Sequence, residues 1–300
     1  MERKQHIDAI GALALTGFSF VLAFNQVVIK VSNDGFQPVF MAGIRSVGAL
    51  AVLLVWMWLR GIRLDVARRY WGSGLLLGAL FGFEFICLFW ALDNTTVARA
   101  SILFYTMPMM LAAAAHFVLP NERLTPMRVA GLVLAMAGVA LVLARRSAGE
   151  ASVMGDVAAL AAAAGWAAIA LTVRLTPVSE QRPEMQLCWQ LAVSAVILMV
   201  AAPFFGPLLR TPEPLHLWGL IYQIVVVASF GFLFWFFLMT RYPASGVASF
   251  SFLSPVISVY LGWWLLDEPV GWNTLAALVM VAVGIVLINR RSRAARAAAP

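Results

Sequence analysis

The chain repeats one of its own segments, and this internal repeat limits the fold more than any other feature of the sequence. The segment 81–146 returns as 230–291. Pro108 and Pro255 occupy equivalent places 147 positions apart, and other matched pairs along the chain keep offsets of 144 to 146. An ordered series at nearly constant spacing indicates two copies of one structural unit. The predicted domains are residues 1–146 and residues 147–300.

The composition predicts an integral membrane protein. Hydrophobic residues make up 62% of the 300 positions and charged residues 12%, against about 45–50% and about 25% in soluble domains. Cys87 and Cys188 lie inside apolar runs, which indicates buried thiols, so we expect no disulfide, metal or cofactor. The net charge of +7 comes from basic residues that flank the apolar runs. Topology signals lie there, so nucleic acid is not an expected partner.

Ten apolar runs are long enough to cross a membrane, five in each half of the chain. A spanning helix needs about 20 mostly apolar residues, and turn-forming residues separate the runs. The predicted spans are 8–30, 37–59, 71–92, 96–117, 125–145, 153–175, 184–205, 216–240, 244–266 and 270–289. The predicted fold class is therefore an all-α membrane protein.

The positions of the basic residues predict the orientation. Fifteen of the 21 lysines and arginines fall on one side if the N-terminus is cytoplasmic, with Arg145 and Arg146 as exceptions. Both termini are therefore predicted to be cytoplasmic. Since each half has five spans, the second half enters from the opposite side and the repeats are inverted. Inverted repeats place a substrate site in a central cavity near the midplane and expose it to each side in turn.

Matched proline and acidic residues in the two halves of the repeat resemble the pattern of a known family. Each half carries a proline in its fourth span and an acid shortly after it, Pro108 with Glu122 and Pro255 with Glu268. Together with the repeat and the ten spans, this pattern resembles the drug/metabolite transporter superfamily in its EamA-type branch, over residues 8–291. The resemblance implies a basket of ten helices. It also implies that the third, fourth, eighth and ninth helices line the central cavity, with parts of the first and sixth.

A smaller set of residues resembles one subgroup. The stretch Tyr105–Pro108 and Trp166 are similar to the YddG-type aromatic amino-acid exporters of bacterial inner membranes. That resemblance implies a small-molecule substrate of the aromatic or hydrophobic amino-acid class. Protons are a candidate coupling ion, because Glu84 in mid-span could carry one. Related branches carry nucleotide sugars, sugar phosphates and drugs, so broad export of drugs or other metabolites is the alternative.

Charged and polar residues in mid-span are the first candidates for the site. A carboxylate such as Glu84 costs about 2.5–3.5 kcal/mol at that depth on insertion scales, so it should face a cavity or a partner. It could carry a proton, bind a substrate ammonium, or form a structural pair with Arg45 or Lys30. Arg45 could bind a substrate carboxylate or hold neighbouring helix ends. Asn25 could face the cavity or join helices, as amides in membranes often do.

The helix-breaking and aromatic residues are the second group of candidates. Tyr105 and Pro108 share a face of the fourth span, and Pro108 frees a backbone carbonyl. Such carbonyls are tolerated where they line a wet cavity, and Ser254 precedes the matched proline of the ninth span. Trp166 stands among small residues, which suits the wall for a flat ligand. The predicted substrate-binding residues are Glu84, Phe85, Leu88, Tyr105, Met107, Pro108, Trp166, Asn25, Arg45 and Ser254.

Two further interpretations concern packing. The aromatic run Phe230–Phe237 is predicted to face lipid, with Phe230 itself as a weak cavity candidate. Gly74, Gly78 and Gly82 recur every four residues on the third span and predict a face that another helix approaches closely, within the fold or at a dimer contact.

Other function classes find little support in the sequence. An intramembrane enzyme would need a nucleophile with a base, or a metal with its ligands, and no such motif is present. A channel would show a ring of charges or a filter loop, and neither is evident. No nucleotide-binding loop of the G-x-x-x-x-G-K type occurs, so the energy must come from a gradient. The sequence predicts a secondary transporter of the bacterial inner membrane.

Overall fold

The computed structural model describes residues 8–119, 124–144, 152–242, 250 and 253–289, and this part of the chain is helical almost throughout. The α-helices are α1 (Ala9–Asn33), α2 (Pro38–Leu59), α3 (Trp71–Asn94), α4 (Val97–Phe104), α5 (Met107–Val118), α6 (Pro126–Ala144), α7 (Val153–Leu175), α8 (Pro183–Ala201), α9 (Pro214–Tyr222), α10 (Phe232–Arg241), α11 (Leu253–Leu266) and α12 (Trp272–Asn289). A π-helical segment, Gln223–Gly231, joins α9 to α10. Short 3-10 turns occupy Arg68–Tyr70, Pro177–Glu180 and Ala202–Phe205.

The two halves begin with the same capping arrangement. Asp8 caps α1 by accepting a hydrogen bond from the backbone N–H of Gly11, at 2.8 Å. Ser152 caps α7 in the same way, accepting from the N–H of Gly155 at 2.9 Å. Short polar side chains satisfy the free N–H groups of a first turn. The repeat is therefore visible in local chemistry as well as in hydrophobic pattern.

The described helices account for the ten predicted spans. Eight continuous stretches are long and apolar enough to cross a membrane, and the shorter apolar helices α11 and α12 supply two more. Large apolar side chains such as Trp58, Phe204 and Trp218 are mostly exposed on the outside of the bundle, as expected of a surface in contact with lipid. The first part of the predicted ninth span, 244–252, lies outside the described residues apart from residue 250.

Two of the predicted spans are interrupted: the fourth, where the sequence predicts a helix-breaking proline, and the eighth, where it predicts no interruption. The fourth breaks at Tyr105 and Thr106 into α4 and α5, because Pro108 has no N–H to continue the ladder. The eighth changes to π-helical hydrogen bonding at Gln223–Gly231, where the hydroxyl of Ser229 also donates to the carbonyl of Ile224. Such π segments are frequent at functional sites.

The pattern of helix contacts stays the same when the two halves are exchanged, as a twofold relation between them requires. Helix α3 of the first half packs against α7 of the second, and the equivalent pair is α1 against α9 and the π segment. Likewise, α1 packs on α11 and α7 packs on α4 and α5. The pairs α2 with α8, α4 with α11 and α6 with α12 are their own equivalents. Because each half contains five spans, this exchange reverses the direction of every span. The fold is two inverted five-helix repeats around a central cavity.

Glycines allow the closest approaches between the halves. A Cβ on Gly78 of α3 would lie 2.4 Å from the Cβ of Val193 and 2.6 Å from the backbone oxygen of Trp189, both in α8. On α6, a Cβ at Gly131 would lie 2.8 Å from the backbone oxygen of Gly284 in α12. Small residues let helix backbones meet in this way. The predicted close-packing face on α3 is confirmed, and its contact lies inside the fold.

The bundle has two distinguishable ends. The terminal end is where α1 begins and α12 finishes, and there the hydroxyl of Tyr242 donates to the carboxylate of Asp8 at 2.9 Å. The distal end is where α3 finishes and α7 begins, marked by the hydrogen bond from the N–H of Ser152 to the carbonyl of Asn94.

Candidate functional site

A cavity of about 650 Å³ lies in the middle of the bundle and extends to the terminal end. Its wall reaches Arg128, in the first turn of α6, and Arg174, in the last turn of α7, and both of these turns lie at the terminal end. All ten sequence-predicted binding residues line this one cavity: Asn25, Arg45, Glu84, Phe85, Leu88, Tyr105, Met107, Pro108, Trp166 and Ser254. Their part in binding a substrate stays a prediction.

A buried arginine and a buried glutamate face the cavity from adjacent helices. Arg45 of α2 and Glu84 of α3 are 3% and 4% exposed, and their opposite charges attract one another. Among the described residues, however, no direct ion pair joins them. Nε and Nη1 of Arg45 and Oε2 of Glu84 also have no hydrogen-bond partner in that part of the chain. The alternative partner of Glu84, Lys30, instead donates to two carbonyls at the distal end.

The guanidinium of Arg45 is held by aromatic rings. Its central carbon lies 4.3 Å from the ring centre of Phe85 and 5.7 Å from that of Phe89. Phe81 packs edge-on against Phe85 with ring centres 4.4 Å apart. These three phenylalanines are four residues apart and so share one face of α3. The cation–π contacts position the arginine while two of its nitrogens have no protein partner among the described residues.

The break between α4 and α5 forms another part of the wall. The hydroxyl of Thr106 donates to the carbonyl of Leu103 at 2.6 Å, within the break. Tyr105 lines the cavity together with Ser254 of α11 and Gln26 of α1. Gln26 also accepts from the hydroxyl of Ser101 at 2.8 Å. The predicted proline break therefore joins the first half to the second at the cavity.

Trp166 contributes an aromatic surface beside Glu84. It lines the cavity from α7. At the preceding residue, Gly165, an added Cβ would lie 3.4 Å from both Cα and Cβ of Glu84. The backbones of α3 and α7 are therefore close at this level, which places Trp166 near the buried carboxylate.

The aromatic run Phe230–Phe237 has two faces, so the prediction that it faces lipid is right for only part of it. Phe230 is 59% exposed on the outside, as are Phe234 and Phe237 in smaller measure. Phe232 and Trp235 line the cavity, and Trp235 stacks on Phe18 with ring centres 5.2 Å apart. Their direction is not encoded in the sequence, because aromatic residues cover both faces of the run.

Several other lining residues were also missed. Gln26, adjacent to Asn25, and Gln190, which stands where the repeat places the partner of Arg45, both line the cavity. Arg128 and Arg174 at its mouth looked from the sequence only like topology signals. Among the described residues no three His, Cys, Asp or Glu side chains come together as a metal site.

The distal end is closed by contacts between the two halves. The carboxylate of Glu268, in the connection from α11 to α12, accepts hydrogen bonds from the N–H groups of Val97 and Ala98 at 2.7 and 3.1 Å. These are the free N–H groups of the first turn of α4. Arg99 of α4 forms an ion pair of 2.6 Å with Asp156 of α7, which is fully buried.

Further contacts surround this closure. Lys30 donates to the carbonyls of Leu92 and Thr95 at the end of α3, at 3.2 and 2.7 Å. Arg210, in the connection from α8 to α9, binds both carboxylate oxygens of Asp93 at 2.7 and 2.8 Å. These hydrogen bonds raise the pKa of the Arg210 guanidinium, which therefore stays charged. The cavity thus extends to one end of the bundle, and at the other end these contacts hold the described parts of the two halves together.

Comparison with known proteins gives consistent results. Residues 9–144 and 153–290 match the EamA-like transporter family. The uncharacterized transporter YvbV of Bacillus subtilis is 30% identical over 96% of this chain and 94% of its own length. The aromatic amino acid exporter YddG of Ancylobacter novellus is 30% identical over 53% of this chain and 57% of its own length. Relatives that span more than nine tenths of the chain carry the name probable amino-acid metabolite efflux pump. A crystal structure with 24% identity superposes with a TM-score of 0.64, covering 92% of this chain and 96% of the other, and shows the same fold.

Proposed function

The chain belongs to the EamA-like transporter family, and from that premise we propose that it is a secondary transporter that exports aromatic or hydrophobic amino acids. It works by alternating access in the bacterial inner membrane, with both termini in the cytoplasm. The terminal end of the cavity then faces the cytoplasm, where an exported metabolite is collected. The names of the relatives support amino-acid export as the class of activity.

The observation that supports this proposal best is the cavity that extends to one end and is closed at the other. Alternating access requires a central site that communicates with one side at a time. The wall reaches the exposed Arg174 at the terminal end, while buried contacts such as Glu268 with α4 seal the distal end. A continuous pore would leave both ends open.

The size and chemistry of the cavity suit an amino acid with a large side chain. Its volume of about 650 Å³ lies within the range of about 300–1,000 Å³ that is usual for small-molecule sites. Trp166, Phe232 and Trp235 supply flat apolar surface. Arg45 and Glu84 supply one charge of each sign within the same wall. A nucleotide sugar would need more polar surface for its phosphates and hydroxyls.

Flux through purified protein in proteoliposomes tests the proposal. Radiolabelled tryptophan, leucine, glutamate and a cationic drug are compared as substrates, and we expect tryptophan to move fastest. Trp166→Ala should raise the KM for tryptophan about tenfold, equivalent to about 1.4 kcal/mol, because a stacking wall is lost. Trp218→Ala, on the lipid-facing surface, is the matched control and should leave KM unchanged.

Two results would contradict the proposal. One is a panel in which no amino acid moves faster than through empty vesicles. The other is an equal KM for the Trp166 and Trp218 variants, which would remove the cavity from the transport path. The same vesicles with an imposed pH gradient test coupling, since uphill accumulation of tryptophan would assign protons as the driving ion.

A further inference from the structure

Among the residues that the structure describes, the two buried charged side chains that line the cavity form no direct ion pair with each other. Arg45 and Glu84 are both more than nine-tenths buried and line the same cavity. No direct ion pair joins them in the described part of the chain, where Nε and Nη1 of Arg45 and Oε2 of Glu84 also lack hydrogen-bond partners. Buried polar atoms in proteins are almost always satisfied. Because no described residue supplies this partner, a molecule that enters the cavity is the candidate for it.

The surroundings hold both groups in place for such a partner. Phe85 and Phe89 support the guanidinium of Arg45. Glu84 sits where the backbone of α7 approaches α3 at Gly165. Asn25, on α1, brings a third unsatisfied atom to the same cavity, its side-chain oxygen. The site thus offers N–H donors on one helix and oxygen acceptors on two others.

We propose that this constellation binds the backbone of a free α-amino acid. The α-carboxylate accepts hydrogen bonds from Nε and Nη1 of Arg45. The α-ammonium donates to Glu84 and to the side-chain oxygen of Asn25. The substrate side chain then lies against the aromatic wall that includes Trp166. This inference rests on the proposed function and narrows the substrate to molecules that carry both charged groups.

Charge balance explains why both groups are needed. The protein pair is neutral overall, and a zwitterion leaves the occupied cavity neutral while it gives each charge a partner. An amine alone would satisfy Glu84 and leave Arg45 buried with two empty donor positions. An acid alone would satisfy Arg45 and leave Glu84 buried without a donor. An unpaired charge in a desolvated site is strongly unfavourable, so each deletion should weaken binding at least about tenfold.

Calorimetric titration of the purified full-length protein tests the assignment with four ligands. Tryptophan carries both groups, tryptophanamide only the ammonium, indole-3-propionate only the carboxylate, and indole-3-propionamide neither. Wild type should bind tryptophan at least about tenfold more tightly than the others. Arg45→Gln should abolish the preference over tryptophanamide and keep the preference over indole-3-propionate. Glu84→Gln should do the opposite.

The ratio of affinities within one variant is the decisive readout, because it does not depend on how much of a preparation is folded. Arg45→Lys should retain part of the preference for a carboxylate, since the cation remains. Arg63→Gln and Asp65→Asn, both on the exposed connection after α2, are matched controls and should keep the wild-type ratios.

The outcomes separate this inference from the proposed function. If wild type binds tryptophan but Arg45→Gln and Glu84→Gln keep its preferences, the two residues form a structural pair and the inference is overturned while amino-acid export stands. If wild type binds no aromatic amino acid, the proposed function fails as well. If Arg45→Gln loses only the preference over tryptophanamide and Glu84→Gln loses only the preference over indole-3-propionate, the zwitterion site is established.

Discussion

The carboxylate of Glu268 forms one of the contacts that close the distal end, so Glu268→Gln is expected to favour its opening. The carboxylate accepts from the N–H groups of Val97 and Ala98, one on each oxygen. The glutamine side chain has one acceptor oxygen, so one of these buried N–H groups loses its partner. The substitution also removes the negative charge that the N-terminus of α4 favours. The substitution therefore weakens a contact that holds the two halves together at the distal end.

The size of the effect follows from these two losses. A hydrogen bond to a charged group contributes about 1.5–3 kcal/mol, against about 0.5–1.5 kcal/mol for a neutral one. The interaction of the charge with the helix terminus adds about 0.3–1 kcal/mol. A total loss of about 2 kcal/mol changes the ratio of open to closed distal ends by about 30-fold, since about 1.4 kcal/mol is a factor of ten.

Cysteine labelling from the distal side measures this ratio. Ala98→Cys, at a position only 2% exposed, is placed in a background with Cys87 and Cys188 replaced by alanine. A membrane-impermeant maleimide should then react about 30-fold faster when Glu268→Gln is added, by the same conversion. Asp267→Asn is the matched control, because it removes the adjacent, exposed carboxylate, and asparagine tolerates the positive φ of 52° found there. Equal labelling rates in the two variants would refute the assigned role of Glu268.

Two further predictions concern packing and orientation. Gly78→Ala should lower the free energy of unfolding by about 1–3 kcal/mol, because the new methyl group overlaps α8; thermal melting in detergent, compared with Gly72→Ala, where a Cβ meets nothing within 4 Å, measures the difference, and equal melting temperatures would contradict it. In intact cells an impermeant thiol reagent should label Thr211→Cys, in the connection from α8 to α9, and leave Arg63→Cys unlabelled, because the proposed topology puts the second position in the cytoplasm; the reverse pattern would invert the proposed direction of transport.

The overall architecture was predictable because its signals are local or periodic. Ten apolar runs and a repeat with an odd number of spans per half are sufficient to give inverted repeats around a cavity. The cavity residues that were predicted differ clearly from the apolar sequence around them. Glu84 does so by its charge and Pro108 by breaking a helix. Polar atoms and broken helices at membrane depth require either a partner or a cavity.

The missed residues are those whose direction the sequence does not encode. Phe232 and Trp235 lie in a run that is aromatic on both faces, so periodicity cannot separate the cavity side from the lipid side. Gln26 has the same polar signal in the sequence as its neighbour Asn25; its side chain accepts a hydrogen bond from Ser101 and also lines the cavity. A polar residue in mid-span can perform both functions, and only the packing decides.

The closure of the distal end was less predictable still, since its contacts join residues far apart in the chain. Glu268 and Val97 are 171 positions apart, and Arg99 and Asp156 are 57 apart. From the sequence, Glu268 was notable only as the partner of Glu122 in the repeat. That match contained the useful signal, because an acid at the same place in both halves suggests a role that each half performs in turn. Residue 122 lies outside the described residues.

The difference between equivalent residues at the two ends identifies the conformation. Lys30 and Arg174 occupy matched positions near the ends of α1 and α7, 144 residues apart. Lys30 is half-buried and donates to the carbonyls that end α3, whereas Arg174 is exposed at the mouth of the cavity. The residue types differ, lysine against arginine, but the same helix-end position is half-buried in one half and exposed in the other, which indicates that the two halves are in different arrangements. In the opposite state we expect position 174 to become buried at its end of the bundle and position 30 to become exposed. Alternating access then requires no new structure, because each half adopts the arrangement that the other already has.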